Sequence, residues 1–299
     1  MRIANAPCSW GVLEFESSER SAPFTQVIDE IASTGYAGTE LGDWGFMPTD
    51  PAKLAGELAQ RHLEMLGAFV PVALANPAAH DGGVEVAVRT ATLLRDSARS
   101  DRPLIVLADD SGTVPNRIQR TGRIIREDSL SGAQWTTFAR GAEAVARAVK
   151  RETGLRTVFH PHCAGYVETP WEIDELLSRT DPSLLGLCFD TGHLMFGGAD
   201  ALAVLKKYIR RTWHVHFKDF SPAAFAVTRG ESLDYNGAIE AGIFCELGKG
   251  AVDFPAVVKT LRDANYRGWI VVEQDVLPGM GAPEVSARSN REYLKGLGL

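Results

Sequence analysis

The sequence predicts a single α/β domain over residues 1–299, folded as a (β/α)8 barrel. Short apolar segments alternate with amphipathic segments eight times along the chain, which is the pattern of parallel strands ringed by helices. Polar side chains of the kinds used in catalysis stand at the C-terminal ends of the apolar segments, where barrels carry their functional residues. No glycine-rich dinucleotide fingerprint follows the first strand, which disfavours the alternative of a doubly wound open sheet.

The first half of the chain predicts four strands, each followed by a helix. Gly35 ends the first amphipathic segment, and Asp50-Pro51 begins the second as an N-cap with proline at the first helical position. The predicted strands are Ile3–Trp10, Gly38–Gly42, Met65–Val72 and Pro103–Asp109, and the predicted helices run over Pro23–Thr34, from Asp50, over Val84–Ala98 and over Gln134–Glu152.

The second half repeats this unit four times. Its apolar segments are brief and rich in aromatic and branched residues, which is typical of buried strands. A long loop, Phe220 to Ala251, precedes the seventh helix and contains a short helical turn around Tyr235 to Ala241. The predicted strands are Arg156–His162, Leu185–Phe189, Thr212–Phe217 and Gly268–Asp275, and the predicted helices are Pro170–Arg179, Ala199–Arg211, Asp253–Ala264 and Glu284–Lys295.

Composition and charge exclude several functional classes. The net charge is −7, and the basic residues form no block that would grip phosphates, so we expect no nucleic-acid partner. We expect no membrane segment and a cytoplasmic location, because no apolar run approaches bilayer length and the start lacks the apolar core of a signal peptide. The cysteines lack C-x-x-C spacing and are predicted to be buried free thiols: Cys8, Cys163, Cys188 and Cys245.

Three strand ends that neighbour one another in a closed barrel carry potential metal ligands. Asp190, His216 and Glu273 come from the ends of the sixth, seventh and eighth strands, and such a mixed set suits a divalent ion such as Mn²⁺, Co²⁺, Zn²⁺ or Mg²⁺. A fourth ligand is expected from the fifth strand. His160 is the first candidate for it, and Glu168 in the following loop is the second.

Further polar residues surround these ligands. His193, three residues after Asp190, could reach a substrate hydroxyl, although a solvated loop histidine is the alternative. Lys218 is either a general acid or base or a salt-bridge partner of Asp219. Glu40 is expected to face the pocket mouth, since an unpaired buried carboxylate is costly.

Other residues have a functional and a purely structural interpretation. His214 and His216 share one face of their strand, and one of them could line the barrel without binding metal. Three aromatic residues could wall the pocket or simply pack in the core: Trp10, Trp44 and Phe69. The arginine-rich stretch from Arg117 to Arg126 is most simply a solvated loop that could cover the active site or a subunit contact.

Motifs along nearly the whole chain resemble a known family. They include NAPCSWGV, GYAGTELGDWGFMPTDP, FHPHCAGYVETP, CFDTGHLMFGG, HVHFKD, GIFCELGKGAVDFPAVV and SNREYLKGLG. With these segments the chain resembles the xylose-isomerase-like barrel superfamily of sugar isomerases, epimerases and endonuclease IV relatives, and within it most closely the inosose dehydratases of inositol catabolism.

The resemblance implies a divalent metal, Mn²⁺ or Co²⁺ first, held by Asp190, His216 and Glu273. Where many members have a metal-binding glutamate at the end of the fifth strand, this chain has His160, so either this histidine replaces that ligand or Glu168 does. His162 and His193 match positions that contact substrate in relatives.

The implied activity is that of a metal-dependent hydro-lyase acting on a cyclic keto-polyol, 2-keto-myo-inositol, through an enediolate. Lys218, His162 or His193 would move the protons, and Glu40 would hold substrate hydroxyls. The alternative is a keto-sugar isomerase or epimerase with the same enediolate, and a sugar-binding barrel without activity is a third hypothesis. The expected partner is a sugar or cyclitol, and the protein could form a homo-oligomer.

Overall fold

The strands of the main sheet all run parallel, as the sequence predicts. The computed structural model describes residues 1–12, 22–100, 102–277 and 279–299. In chain order the strands are β1 (Arg2–Asn5), β2 (Gly38–Thr39), β3 (Glu64–Met65), β4 (Gly67–Val72), β5 (Leu104–Asp109), β6 (Arg156–Phe159), β7 (Leu185–Asp190), β8 (Thr212–Phe217), β9 (Asp219–Phe220), β10 (Phe244–Cys245) and β11 (Trp269–Val272). The main sheet has the order β3-β2-β1-β11-β8-β7-β6-β5-β4, and β9 pairs with β10 in a separate antiparallel sheet.

The main sheet closes into a barrel at Leu66. Strands β3 and β4 stand at the two ends of the ladder, but only Leu66 separates them in the chain. Its N–H donates to the carbonyl of Thr39 beside β2, and its own carbonyl accepts from the N–H of Leu104 on β5. Residues 64–72 therefore act as one of the eight strand positions of the barrel and join both ends of the sheet. We call each such position a stave, and the predicted barrel is confirmed.

Helices cover the outside of the barrel, and their ends follow the capping signals in the sequence. Asp50 accepts a hydrogen bond from the N–H of Lys53, and the chain after α5 turns at Gly154 with a φ of 73°. The helices are α1 (Phe24–Ser33), α2 (Pro51–Gln60), α3 (His80–Ser97), α4 (Pro115–Gln119), α5 (Gly132–Thr153), α6 (Pro170–Ser178), α7 (Thr191–Phe196), α8 (Ala201–Tyr208), α9 (Pro222–Gly230), α10 (Tyr235–Glu240), α11 (Phe254–Asp263) and α12 (Pro283–Gly296). None of the helices in the described ranges is both long and apolar enough to cross a membrane.

Several predicted boundaries were wrong at the C-terminal ends of strands. The first strand ends at Asn5 rather than Trp10, because the chain turns into a 3-10 helix over Pro7–Trp10. The segment after Asp190 forms α7, which begins with Asp190 as its N-cap. The predicted long loop contains α9 as well as the expected turn, which is α10.

The segment from Phe220 to Phe244 builds a second apolar cluster above the barrel. Phe196 of α7 packs against Phe220, Phe225 and Tyr235. Asp219 attaches the two-stranded sheet of β9 and β10 to the loop that follows it, because its carboxylate accepts from the backbone N–H groups of Gly248, Gly250 and Val252. The segment from Phe220 to Phe244, which we call the cap, packs against α7 at the C-terminal end of the barrel.

Candidate metal centre and active-site pocket

Four buried side chains from consecutive staves meet inside the barrel near the C-terminal ends of the strands. Each offers one ligand atom, and these atoms lie within 4.8 Å of one another. Two of the residues directly follow β6 and β11, and the other two belong to β7 and β8. We call this group the four-residue centre, and its members are His160, Asp190, His216 and Glu273.

Unpartnered polar atoms in this centre fit a bound cation. Nδ1 of His160, Oδ2 of Asp190 and Nδ1 of His216 are buried without a hydrogen-bond partner. Oδ2 of Asp190 lies 3.6 Å from Nε2 of His160 and 3.7 Å from Nδ1 of His216. Because buried polar atoms are costly to leave unpaired, and because mixed imidazole and carboxylate donors suit divalent ions, these residues could hold a divalent metal.

The second alternative for the fifth-strand ligand lies outside the centre. The buried carboxylate of Glu168 accepts the backbone N–H groups of Gly122, at 2.6 Å, and of Ala164, at 3.0 Å. Burial raises the pKa of Glu168 to about 7. Glu168 therefore ties two loops together, and the structure gives it no contact with the pocket.

A buried glutamate binds both histidines of β8. Oε1 of Glu40 accepts from Nε2 of His214 at 2.6 Å and from Nε2 of His216 at 3.1 Å. Burial opposes ionisation of Glu40, but the charges and hydrogen bonds of His216 and His214 outweigh it and hold its pKa below the ordinary value. With its Nε2 occupied by Glu40, His216 turns Nδ1 toward the four-residue centre.

Lys218 is held by two acidic residues that follow β11. Its Nζ lies 3.0 Å from Oδ1 of Asp275 and 3.4 Å from Oε2 of Glu273. Burial disfavours the charged amine, but Asp275 and Glu273 outweigh this effect and raise the pKa of Lys218 above its ordinary value. The predicted salt bridge between Lys218 and Asp219 is wrong, because the carboxylate of Asp219 binds backbone N–H groups of the loop that follows β10.

Two histidines stand side by side next to Lys218. The ring centroids of His162 and His193 are 4.0 Å apart, and Nε2 of His193 lies 3.4 Å from Nζ of Lys218. Burial, with nearby positive groups, lowers the pKa of both imidazoles, that of His162 to about 3. His193 is 2% exposed, so the alternative of a solvated loop histidine is wrong.

A pocket that is partly open to solvent adjoins the centre, and His160 and Glu273 form part of its lining. Its polar lining consists of Glu40, Asp43, His160, His162, Lys218, Glu273 and Asp275, and its other lining includes Pro7, Cys8, Phe69 and Tyr235. The sequence analysis missed Asp43, Asp275 and Tyr235. Asp275 could have been predicted, because it lies two residues after Glu273 and residues two apart in a strand face the same side. Nothing in the sequence singles out Tyr235.

Two of the three aromatic residues considered for the pocket lie elsewhere. Trp10 is buried in the main core, and its indole Nε1 donates to Oε2 of Glu30 at 2.6 Å. Trp44 is partly exposed and packs beneath the guanidinium of Arg89. Phe69 does line the pocket.

The arginine stretch was also misinterpreted at its first residue. Arg117 is fully buried, and its guanidinium donates two parallel hydrogen bonds of 2.9 Å to the carboxylate of Glu172. Its Nε donates to the carbonyl of Gly165 in the loop between β6 and α6. Arg117 is therefore an internal anchor for the segment that carries His162.

A parallel (β/α)8 barrel with an enclosed histidine and carboxylate site at its strand ends defines the class of this protein. The chain belongs to the xylose isomerase-like TIM barrel family, whose family model matches residues 28–297. The predictions of fold and superfamily are thereby confirmed.

Curated relatives of full length are enzymes. The chain is 30% identical over 296 residues to the inosose dehydratase of Geobacillus kaustophilus, with 99% of this chain and 94% of the relative covered. It is likewise 30% identical over 295 residues to the inosose dehydratase of Clostridium perfringens, with 99% and 97% covered. The prediction of an enzyme is confirmed.

Solved structures share the fold at lower identity. A probable 3-DHS dehydratase from Bacillus anthracis, involved in petrobactin synthesis, aligns with a TM-score of 0.70 at 15% identity and covers 99% of both chains. A D-allulose 3-epimerase from Methylomonas sp. aligns with a TM-score of 0.70 at 17% identity and covers 99% of this chain and 98% of its own.

Proposed function

We propose that this enzyme is a metal-dependent hydro-lyase that removes water from a cyclic keto-polyol of the 2-keto-myo-inositol type. The observation that carries the proposal is the four-residue centre, two members of which line a pocket together with Lys218 and His162. The full-length similarity to inosose dehydratases supports the choice of substrate class.

The proposed metal ligands are His160, Asp190, His216 and Glu273, and the proposed ion is Mn²⁺ or Co²⁺, with Zn²⁺ or Mg²⁺ as alternatives. The chemistry supplied by such an ion is polarisation of a ketone and stabilisation of the negative charge of an enediolate. Glu40 supports the site by orienting His216, and its place in the pocket lining also supports the proposed contact with substrate hydroxyls.

His162 is the proposed base. Its Nδ1 lies 2.7 Å from the carbonyl oxygen of Cys163, and since a carbonyl only accepts, Nδ1 carries the proton. The lone pair is then on Nε2, and His162 lines the pocket. This arrangement suits the removal of a proton from the carbon next to the ketone.

Lys218 is the proposed acid. The ammonium group has three N–H donors, and Asp275 and Glu273 hold it at the pocket wall. Its side chain passes close to α7, where a Cβ at Gly192 would lie 2.7 Å from Cγ of Lys218, so only glycine leaves this path open. Donation of a proton to the departing β-hydroxyl would release water and leave an enol. His193, which contacts Lys218, is the alternative proton donor.

The test is incubation of metal-loaded protein with 2-keto-myo-inositol in D₂O, followed by ultraviolet absorbance and mass spectrometry. Loss of one water with a metal-dependent rise in absorbance supports the dehydratase. Incorporation of deuterium without loss of water contradicts it and supports the keto-sugar isomerase or epimerase instead. Protein stripped of metal is the control.

We further propose that the enzyme works in the cytoplasm on a sugar or cyclitol, without a nucleic-acid partner. All four cysteines are free thiols, which suits a reducing compartment. The excess of acidic residues argues against nucleic acid. A homo-oligomer stays a proposal that light scattering of the purified protein would test.

A further inference from the structure

A cysteine lies directly beneath the four-residue centre. Cys188 precedes Asp190 by two residues on β7, so both side chains point into the barrel. Cys188 is fully buried, and its Sγ lies within 4.8 Å of a ring nitrogen of both His160 and His216. The two histidines thus have both carboxylate ligand atoms and a thiol within 4.8 Å. We call the group of His160, Cys188 and His216 the thiol site.

The spacing of the thiol site is close to that of a tetrahedral metal site. With Zn–S bonds of about 2.3 Å and Zn–N bonds of about 2.0–2.1 Å, neighbouring donor atoms lie roughly 3.5 Å apart. The three donors lie within 4.8 Å of one another, so side-chain rotations that shorten these distances by roughly 1 Å complete the geometry. Nδ1 of His160 and Nδ1 of His216 are buried and have no hydrogen-bond partner. Because such atoms are costly to leave unpaired, this is a second indication that the two rings bind a metal ion.

We propose that His160, Cys188 and His216 form an alternative site for a thiophilic divalent ion such as Zn²⁺ or Cd²⁺. Binding forms a metal–sulfur bond from an electron pair of Cys188, and the thiol proton leaves to solvent without any change of oxidation state. Because both sites need the same two histidines, only one of them can be filled at a time.

The two sites differ in how soft their ligands are, and this difference determines which ion each site prefers. Thiolate ligands favour Zn²⁺ and similar ions, whereas carboxylates suit Mn²⁺ and Mg²⁺. Oδ2 of Asp190 stands beside both histidines and is available as a fourth ligand of the thiol site. A site closed by four protein ligands has no open position for a substrate oxygen, so occupation of the thiol site blocks the enzyme.

Cadmium binding tests the thiol site directly, since a Cd²⁺–thiolate bond produces an ultraviolet charge-transfer band. Metal-free full-length protein is titrated with Cd²⁺ after Cys8 and Cys245, which are partly exposed, have been replaced by serine. We expect a saturable band that Cys188→Ser and Cys188→Ala abolish. Cys163→Ser removes an equally buried thiol outside the site and should keep the band.

The outcomes separate this inference from the proposed function. Displacement of bound Mn²⁺ by Cd²⁺, followed by electron paramagnetic resonance, is expected because the histidines are shared. A band that persists in both Cys188 variants, or no band in the parent protein, overturns the thiol site. If neither variant folds, X-ray absorption of the cadmium-loaded parent identifies the atoms bound to Cd²⁺. The absence of sulfur among them overturns the inference. Loss of Mn²⁺ binding or of dehydratase activity alone would contradict only the proposed function.

Discussion

The carboxylate of Glu40 and the imidazole of His216 are joined by a hydrogen bond of 3.1 Å between Oε1 and Nε2. The same oxygen accepts from Nε2 of His214, so one carboxylate holds two rings of β8. Since Nε2 of His216 donates to Glu40, Nδ1 keeps its lone pair for the four-residue centre, where it lies 3.1 Å from Oε1 of Glu273. Glu40 would thus act on a bound metal through its hydrogen bond to His216, a proposed ligand.

Glu40→Gln should weaken Mn²⁺ binding by about 10- to 100-fold, because the neutral amide holds His216 less firmly. The free Mn²⁺ signal in electron paramagnetic resonance measures this affinity. Asp43→Asn is the matched control, because Asp43 also lines the pocket but is exposed at its mouth. Equal Mn²⁺ affinity in Glu40→Gln and the parent protein would contradict the orienting role.

The sequence predicted the barrel well because strand and helix periods depend on nearby residues. The end of the first strand was wrong because the apolar character continues to Trp10, whereas Pro7 lacks an N–H and Gly11 turns the chain at a φ of 75°. Arg117 resembled a solvated residue because its partner Glu172 lies 55 positions away, a pairing that local patterns do not reveal.

The site was predictable where strand alternation applies. Asp190, His216 and Glu273 end neighbouring staves, so their convergence follows from the fold alone. The same rule argues against Lys218 pairing with Asp219, since adjacent residues of an extended segment point to opposite sides. The position of Tyr235 depends on how the cap packs against Phe196, and no local pattern encodes that contact.

Glu273→Gln and His216→Ala should each abolish metal-dependent turnover and leave the fold intact. Each removes one proposed ligand, and both side chains belong to the buried cluster inside the barrel rather than to the helices that pack outside it. Turnover with 2-keto-myo-inositol and circular dichroism measure the two properties. Glu231→Gln, a surface change, is the control. Full activity in both site variants would contradict the assigned centre.

Arg117→Ala should lower the free energy of unfolding by about 3–5 kcal/mol, because it leaves the buried carboxylate of Glu172 without its charged partner. Urea unfolding measures the change. Arg95→Ala, which removes an exposed pair with Asp96, should leave the unfolding curve unchanged. A small effect of Arg117→Ala would show that water or another cation reaches Glu172.

The buried Glu168 should make stability fall as pH rises. Its pKa of about 7 in the folded protein lies above the ordinary value of 4.5, so between these pH values the folded state holds a proton that the unfolded state has released. Stability from this group is therefore present below the unfolded pKa and is lost as pH rises through 7.

Comparison of the parent with Glu168→Gln at pH 5 and pH 8 isolates this effect. The variant cannot ionise, so its stability relative to the parent should be greater at pH 8 than at pH 5 by about 2.5 kcal/mol. The difference between the two pH values cancels any constant cost of the amide at this position. A relative stability that does not change with pH would contradict the raised pKa.

His162 and Lys218 can be told apart by the proton that each one moves. If His162 is the base, His162→Gln should stop both deuterium exchange at the carbon next to the ketone and loss of water. If Lys218 is the acid, Lys218→Met should slow water loss by about 10²- to 10⁴-fold while deuterium exchange continues. Nuclear magnetic resonance of the substrate in D₂O follows exchange, and mass spectrometry follows water loss.

Lys207→Met, which changes a lysine on the surface, is the control for these two variants. Exchange that stops in Lys218→Met but continues in His162→Gln would reverse the two roles, and unchanged water loss in both variants would transfer the proton chemistry to His193.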